Sequence, residues 1–231
     1  MRRKGVKIGF LCLILLVALG FALPLQSNDI VNSANNVITD STSYIALSDL
    51  KEEYNNPNIV GAIRISGTDI SEILVQGEDN DYYLNHNIYN ESDVKGATFL
   101  DYRVTLDSSK ILIYGHNSDS LNVPFRELEN YYDEEYYHDH KIIEIITESG
   151  IKQYEIFSVY VETRDWNYMT INFDNQDSWY NHIKELKEKS WYDTGVDVSE
   201  YDEILILQTC SHHNDFKNYD RKYLLIIARG I

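Results

Sequence analysis

The stretch Glu203-Ile204-Leu205-Ile206-Leu207-Gln208-Thr209-Cys210 has the composition of a buried strand, and it ends at a cysteine. Apolar residues that favour strands fill its centre, and a polar segment, residues 211–215, follows directly. A side chain at the end of a strand is held by a rigid element and faces a cleft lined by loops. The pattern therefore makes Cys210 a candidate nucleophile.

Seven further runs resemble this strand in composition, and Gly, Asn, Asp and Ser separate them. With the first, the predicted strands are Gly61–Ile65, Ile73–Gln76, Ala97–Asp101, Lys110–Tyr114, Lys141–Thr147, Gln153–Thr163, Glu203–Thr209 and Lys222–Arg229. Eight short strands predict a mainly β domain, either one closed barrel or a sandwich. We place this single domain at residues 42–231.

Three helical segments accompany the strands. Residues 41–43 offer caps for a short amino-terminal helix, and Asn122–Tyr137 is predicted to be partly helical. The clearest helix is predicted over Asp177–Ser190, capped by its first or second residue. It lies in the connection of about 40 residues between Thr163 and Glu203, and a connection this long in a compact domain is usually functional.

A histidine and an arginine are the candidate partners of Cys210. A thiol is only a few per cent ionised at neutral pH, so it needs an imidazole, and His116 ends another strand pattern. A fixed guanidinium suits the oxyanion of a tetrahedral intermediate. Arg221, eleven residues after Cys210, is the first choice, and Arg229 on the same strand face is the second.

Each of these residues also has an ordinary structural interpretation. A strand-end cysteine is more often a small core residue, a lone histidine is usually hydrogen-bonded or on the surface, and arginines are usually solvated. However, the second cysteine, Cys12, lies in an apolar amino-terminal segment, so Cys210 has no disulfide partner in the rest of the chain. The combination of residues favours a reactive thiol.

The amino terminus predicts a membrane anchor. Four basic residues precede an apolar run, Ile8–Leu25, that is long enough to span about 27 Å as a helix. By the positive-inside rule, residues 1–28 form a cytoplasmic tip and a single-pass signal anchor, residues 29–41 a linker, and residues 42–231 an extracellular domain bound to the cell membrane. A cleaved signal peptide is the alternative, although no A-x-A site is evident.

The net charge of the chain and the spacing of its histidines bear on two further functions, nucleic-acid binding and metal binding. Beyond the basic tip, 16 Lys and Arg face 37 Asp and Glu, a formal charge of -21 that disfavours binding to nucleic acid. His138-x-His140 and His212-His213 are the only hints of a metal, and no second cysteine or carboxylate spacing completes a site. We therefore predict no metal and no cofactor.

Five collinear segments of the chain resemble the sortases, and the class B branch in particular, over residues 44–231. The segments are Val60–Ile65, Val75–Leu84, Gly96–Tyr102, Tyr114–Asn117 and Leu207–Cys210. The last two resemble the catalytic motifs of that family in order and separation. The resemblance implies an eight-stranded sortase barrel with an amino-terminal helix and a helix in the long connection before the cysteine strand.

The resemblance also implies an activity, that of a cysteine transpeptidase. Cys210 would attack the Thr carbonyl of an NPxTG-like sorting signal near the carboxy terminus of a secreted protein, and an amine of the peptidoglycan precursor would resolve the thioacyl enzyme. His116 would serve as general acid and then as general base. By the family pattern, the substrate-binding residues would be Asn80, Leu84, Thr209 and Ser211.

The chain departs from the family pattern at two positions. The family arginine usually stands immediately before the apolar run of the last strand, where this chain has Tyr223, and Arg221 lies one strand period earlier. Gln208 stands where class B members often have Ser, so the preferred pentapeptide stays open. A pilus-assembling sortase is an alternative, although the lid motif that such enzymes commonly carry is not encoded. A barrel that only binds, without turnover, is another.

Overall fold

Eight strands close into one barrel in the computed structural model, which describes residues 46–231. The strands are β1 (Ile59–Ile65), β2 (Ser71–Val75), β3 (Phe99–Leu100), β4 (Lys110–Tyr114), β5 (Ile142–Thr147), β6 (Gly150–Glu162), β7 (Ile204–Cys210) and β8 (Tyr223–Gly230). Their order around the barrel is β1-β2-β3-β4-β7-β8-β6-β5. The prediction of an eight-stranded barrel is confirmed, and the closed ladder decides against a sandwich.

Two neighbouring pairs are parallel, β2 with β3 and β4 with β7, and the other pairs are antiparallel. The pair β4 and β7 runs in register from Lys110 opposite Ile204 to Tyr114 opposite Gln208. Since the two strands run in the same direction, their carboxyl ends meet at one end of the barrel. This end carries the candidate site.

Strand β7 is buried on both faces. Leu205 and Leu207 belong to the cluster that fills the barrel, whereas Ile204 and Ile206 pack outside it, in a cluster with apolar residues of the helix Gln176–Glu188. Burial on both faces explains why the sequence of β7 is continuously apolar and does not alternate.

The helices are α1 (Leu47–Glu53), α2 (Glu134–Asp139) and α3 (Gln176–Glu188). The segment predicted as one partly helical unit, 122–137, is a 3-10 helix over Pro124–Tyr132 followed by α2. It is interrupted at Asp133, whose backbone is extended and whose carboxylate accepts the Glu135 N–H at 2.9 Å.

Helix α3 confirms the predicted helix of the long connection, but its cap differs from the prediction. Asn175 is the capping residue, since its side chain accepts the backbone N–H of Ser178 at 2.9 Å. The Ser178 hydroxyl in turn accepts the Asn175 N–H at 3.2 Å, which completes a capping box.

The structure does not support the predicted single-pass membrane localisation. None of the helices within residues 46–231 is both long and apolar enough to cross a bilayer. The segments that carried the prediction, the tip and anchor at residues 1–28 and the linker at 29–41, lie outside the described residues.

Candidate active site

Cys210 and His116 lie at the carboxyl ends of two strands that pair with each other. The last registered pair of β4 and β7 is Tyr114 with Gln208, and the two candidates each stand two residues further on. Because side chains alternate along a strand, Cys210 lies on the face of β7 that carries Ile204 and Ile206, the outer face of the barrel. Two segments that are far apart in sequence thus bring a cysteine and a histidine to the same end of the barrel.

Cys210 is a free, exposed thiol. Loss of hydration through partial burial raises the pKa of the thiol, and the positive charge of Lys222 offsets part of that effect. The raised pKa means that the thiol on its own is protonated at neutral pH. A nearby base is therefore required if it is to act as a nucleophile.

The imidazole of His116 is half-buried, and its Nε2 lies 2.8 Å from the Leu84 carbonyl oxygen. Because a carbonyl oxygen can only accept, Nε2 carries a proton in this contact, and Nδ1 is the ring nitrogen that the Leu84 carbonyl leaves unoccupied. The residue before it must be small, since a Cβ on Gly115 would lie 2.6 Å from the ring of Phe125. Close packing of that ring thus fixes the backbone that presents His116.

The two candidate arginines lie at opposite ends of β8. Cys210 is opposite Tyr223, so Arg221 lies just beyond the ladder at the Cys210 end. Arg229 is opposite Ile204, six residues from the cysteine along β7 and about 20 Å away, and it is ion-paired to Glu155 at 3.1 Å. Of the two, only Arg221 is at the candidate site.

The guanidinium of Arg221 is positioned by the connection that follows β6. Its carbon lies 4.4 Å from the centroid of the Trp166 ring, and one N–H donates to the Arg164 carbonyl at 2.8 Å. Trp166 also contacts Tyr223, with ring centroids 5.1 Å apart. The long connection between β6 and β7 therefore contacts the arginine at the Cys210 end of β8.

Asn80 and Leu84 lie in the connection between β2 and β3, where Leu84 ends a short 3-10 helix, Tyr82–Leu84. The Asn80 amide donates to Asp101 at 3.0 Å, and its oxygen accepts the Tyr102 N–H at 3.1 Å. Asp101 also accepts the Tyr114 hydroxyl at 2.6 Å, which ties this loop to β4. Burial alone would raise the pKa of Asp101, but hydrogen bonds from Arg103, Tyr114 and Asn80 outweigh it and lower the pKa.

Thr209 and Ser211 flank the nucleophile with buried side chains that bond within the protein. The Thr209 hydroxyl donates to the Gly115 carbonyl at 2.7 Å, and the Ser211 hydroxyl bonds the hydroxyl of Tyr132. The Ser211 N–H donates to the Lys222 carbonyl at 2.8 Å. The Thr209 hydroxyl joins the ends of β7 and β4, the Ser211 hydroxyl bonds the 3-10 helix Pro124–Tyr132, and neither hydroxyl is turned toward solvent.

Two residues of the site were missed by the sequence analysis, Asn117 and Glu129. The Asn117 amide donates to the Cys210 carbonyl at 2.8 Å and to the Glu129 carboxylate at 2.7 Å. Glu129 also accepts the His212 N–H at 2.7 Å. Asn117 directly follows His116, so its position was a signal, whereas nothing in the sequence marks Glu129.

The histidine pairs that hinted at a metal have other partners. His212 Nδ1 lies 2.9 Å from Asp119, and His213 stacks on Tyr132 with ring centroids 4.0 Å apart. His140 Nδ1 lies 2.8 Å from the Tyr136 carbonyl. Within residues 46–231, no cluster of three or more His, Cys, Asp or Glu side chains is arranged to hold a metal.

The chain is similar to known proteins of one family. No protein-family model matches the chain. Sortase B of Staphylococcus aureus is 34% identical over 178 residues, which are 76% of this chain and 71% of the relative.

Solved structures are similar over nearly the whole barrel. A complex of Staphylococcus aureus sortase B with a substrate matches with a TM-score of 0.77 and 29% identity, over 88% of this chain and 94% of that chain. A structure of sortase B complexed with triglycine matches with the same TM-score, identity and coverage. Sequence and structure thus agree on one family.

Proposed function

Because the chain belongs to the class B sortases, which are cysteine transpeptidases, we propose that it cleaves an NPxTG-like sorting signal between Thr and Gly and joins the Thr to a peptidoglycan amine. The observation that supports the proposal is an exposed thiol, Cys210, at the end of β7, whose parallel neighbour β4 leads to His116 at the same end of the barrel. The substrate would be a secreted protein with this signal near its carboxy terminus.

The first half of the reaction forms a thioester. The Cys210 thiolate attacks the carbonyl carbon of the substrate threonine. As the Thr–Gly C–N bond breaks, the His116 imidazolium donates a proton to the leaving amine. Nδ1 is the nitrogen that gives up this proton, since Nε2 is held as a donor by the Leu84 carbonyl.

The second half transfers the acyl group. An amine of the peptidoglycan precursor attacks the thioester carbonyl, its proton passes to His116, and the C–S bond breaks to return the thiolate. The complex of a sortase B with triglycine supports an amine of this type as the acceptor, because triglycine offers a terminal amine to its enzyme. Transfer leaves the imidazole protonated and ready for the next substrate.

Arg221 is the residue that we propose for the oxyanion, from the Cys210 end of β8. A guanidinium carries five N–H donors in a planar fork and is always charged. Its contact with Trp166 fixes the group before the substrate arrives, which is what stabilisation of a developing charge requires. We propose Asn80 and Leu84 as groove residues, with Thr209 and Ser211 holding the nucleophile.

The test is cleavage of a fluorogenic NPxTG-type peptide by the full chain, with the acyl product on triglycine identified by mass spectrometry. The Cys210→Ala variant is expected to abolish both activities. The matched control is Cys12→Ala, which removes the other cysteine of the chain and should leave turnover unchanged. Retained turnover in Cys210→Ala would sink the proposal.

A thiol reagent separates this function from a barrel that only binds. A reactive Cys210 in the folded chain should be alkylated with a pH dependence that changes in His116→Ala. A folded chain whose Cys210 resists alkylation would favour the binding module.

A further inference from the structure

The strands that carry the two catalytic candidates are joined by only a few bonds beyond their ladder. After the pair Tyr114 and Gln208, the Gly115 N–H donates to the Gln208 carbonyl at 3.2 Å, and the Thr209 hydroxyl donates to the Gly115 carbonyl at 2.7 Å. Beyond Gly115, a side-chain hydrogen bond joins the two segments. The Asn117 amide reaches across to the Cys210 carbonyl at 2.8 Å.

A single carboxylate oxygen completes this connection. Oε1 of Glu129 accepts the Asn117 amide at 2.7 Å and the His212 backbone N–H at 2.7 Å. One of these donors directly follows His116, and the other lies two residues after Cys210. Glu129 therefore contacts both chain segments on which the proposed reaction depends.

The position of Glu129 is fixed from the far side as well. It lies on the 3-10 helix Pro124–Tyr132, whose Phe125 and Leu128 are fully buried in the barrel cluster. Glu129 itself is half-buried, and burial raises the pKa of its carboxyl despite the hydrogen bond from the His212 N–H. Burying a carboxylate without hydrogen-bond donors costs free energy, so the two hydrogen bonds that Glu129 accepts are strongly favoured.

We propose that Glu129, through Asn117 and the His212 N–H, is a positioning residue that holds Cys210 and His116 in register for the transpeptidase reaction. This inference rests on the proposed function. It adds a residue that touches neither substrate nor reacting atoms. Without the bridge, the two strand ends are joined by fewer bonds, and a displacement of about 1 Å between reacting groups can lower a rate about 10²-fold.

The test compares three variants of the full chain in the peptide assay. Glu129→Ala removes the accepting oxygen and is expected to lower kcat by about 10-fold to 10²-fold with little change in KM. Glu129→Gln keeps an oxygen at the same place and should restore kcat to within about 3-fold.

The matched control is Glu127→Ala on the same 3-10 helix. Glu127 also accepts two donors, the Asp69 N–H at 2.7 Å and the Tyr136 hydroxyl at 3.0 Å, but neither donor belongs to the segments that follow β4 and β7. Its kcat should match that of the parent chain. A Glu129→Ala kcat equal to that of Glu127→Ala, or a Glu129→Gln kcat as low as that of Glu129→Ala, would overturn the proposal.

Hydrogen exchange gives a readout that does not depend on turnover. The His212 amide should exchange faster in Glu129→Ala than in the parent chain, and at the parent rate in Glu129→Gln and Glu127→Ala. If the parent chain cleaves no sorting peptide, the proposed function fails, and exchange still decides whether Glu129 joins the strand ends. An unchanged His212 rate in Glu129→Ala would refute the bridge.

Discussion

Strands β4 and β7 carry a polar site at each of their ends, and the two sites are built in opposite ways. At one end Lys110 is buried, and its ammonium donates to the Thr170 carbonyl at 2.8 Å and to His182 Nε2 at 2.7 Å. At the other end Cys210 is exposed, and His116 is half-buried. The first site is closed by its own partners, whereas the second is open to solvent.

The comparison shows that a displaced pKa does not by itself mark the reactive site. Burial lowers the pKa of Lys110 to about 7 and the pKa of His182 to about 3, larger displacements than burial produces at Cys210. Yet the buried pair offers no access to a substrate. Perturbed groups concentrate at functional sites only where a ligand can also reach them, and structural pairs perturb pKa values too.

The largest expected effect is at the open end. His116→Ala should lower kcat/KM for a sorting peptide by about 10²-fold to 10⁴-fold, because the proton donor and acceptor is lost. The unfolding midpoint should change little, since the imidazole is half-exposed. Steady-state kinetics and thermal unfolding of the same preparation check both statements, and wild-type turnover in the variant would contradict the role of His116.

The arginines extend the comparison to β8. Arg221→Ala should lower kcat by about 10²-fold to 10³-fold if it stabilises the oxyanion. Arg229→Ala is the matched control at the closed end, where loss of its partly exposed ion pair with Glu155 should cost about 0.2–1 kcal/mol of stability and no activity. Equal kinetics in the two variants would remove Arg221 from the mechanism.

The closed end should respond in stability and not in turnover. Lys110→Ala should lower the free energy of unfolding by about 2–4 kcal/mol, because it opens a cavity and leaves the Thr170 carbonyl without its donor. Urea denaturation measures the loss, and kcat per folded molecule should stay at the parent value. A kcat that falls with the population fully folded would show that the two ends are coupled.

The last expected effect is a pH dependence of stability. Burial lowers the pKa of His182 in the folded chain to about 3, below its ordinary value of 6.5. As pH falls below about 6.5, His182 therefore becomes protonated in the unfolded chain but stays neutral in the folded chain. The contribution of His182 is therefore complete above about pH 6.5. It is lost toward pH 3 by up to about 1.4 kcal/mol per pH unit.

Urea denaturation between pH 7 and pH 4 tests this sign. His182→Gln should lose less stability on acidification than the parent chain, while His138→Gln, at an exposed histidine, should follow the parent curve. Parallel curves for all three proteins would show that His182 does not titrate as its burial requires.

Much of the fold was predictable because its signals are local. The apolar run before Cys210, and runs of the same kind elsewhere, identified all eight strands, and the spacing of apolar residues identified α3. The closed barrel was not predictable from residues alone, because it depends on pairing such as that of β4 with β7, strands far apart in sequence. Pairing across the barrel leaves no pattern within either segment.

The same distinction holds for the site. Cys210 and His116 could be proposed from the sequence because each ends a strand pattern, and the choice between Arg221 and Arg229 needed the register of β8. Glu129 could not be found, because a glutamate in a polar helical segment usually lies in solvent. Lys110 was hidden for the same reason, since a lysine at the start of a strand ordinarily turns outward.

The parallel neighbours β4 and β7 also bear on how the chain folds. Asn117 bonds the Cys210 carbonyl across 93 residues of sequence, a separation that places the site among contacts of high sequence distance. Closing so large a loop costs entropy before its contacts can compensate, so such contacts form late in folding. We therefore expect the proposed thioester chemistry to begin only when the barrel is complete, because a partly folded chain lacks the pairing that brings its thiol and its imidazole to one end.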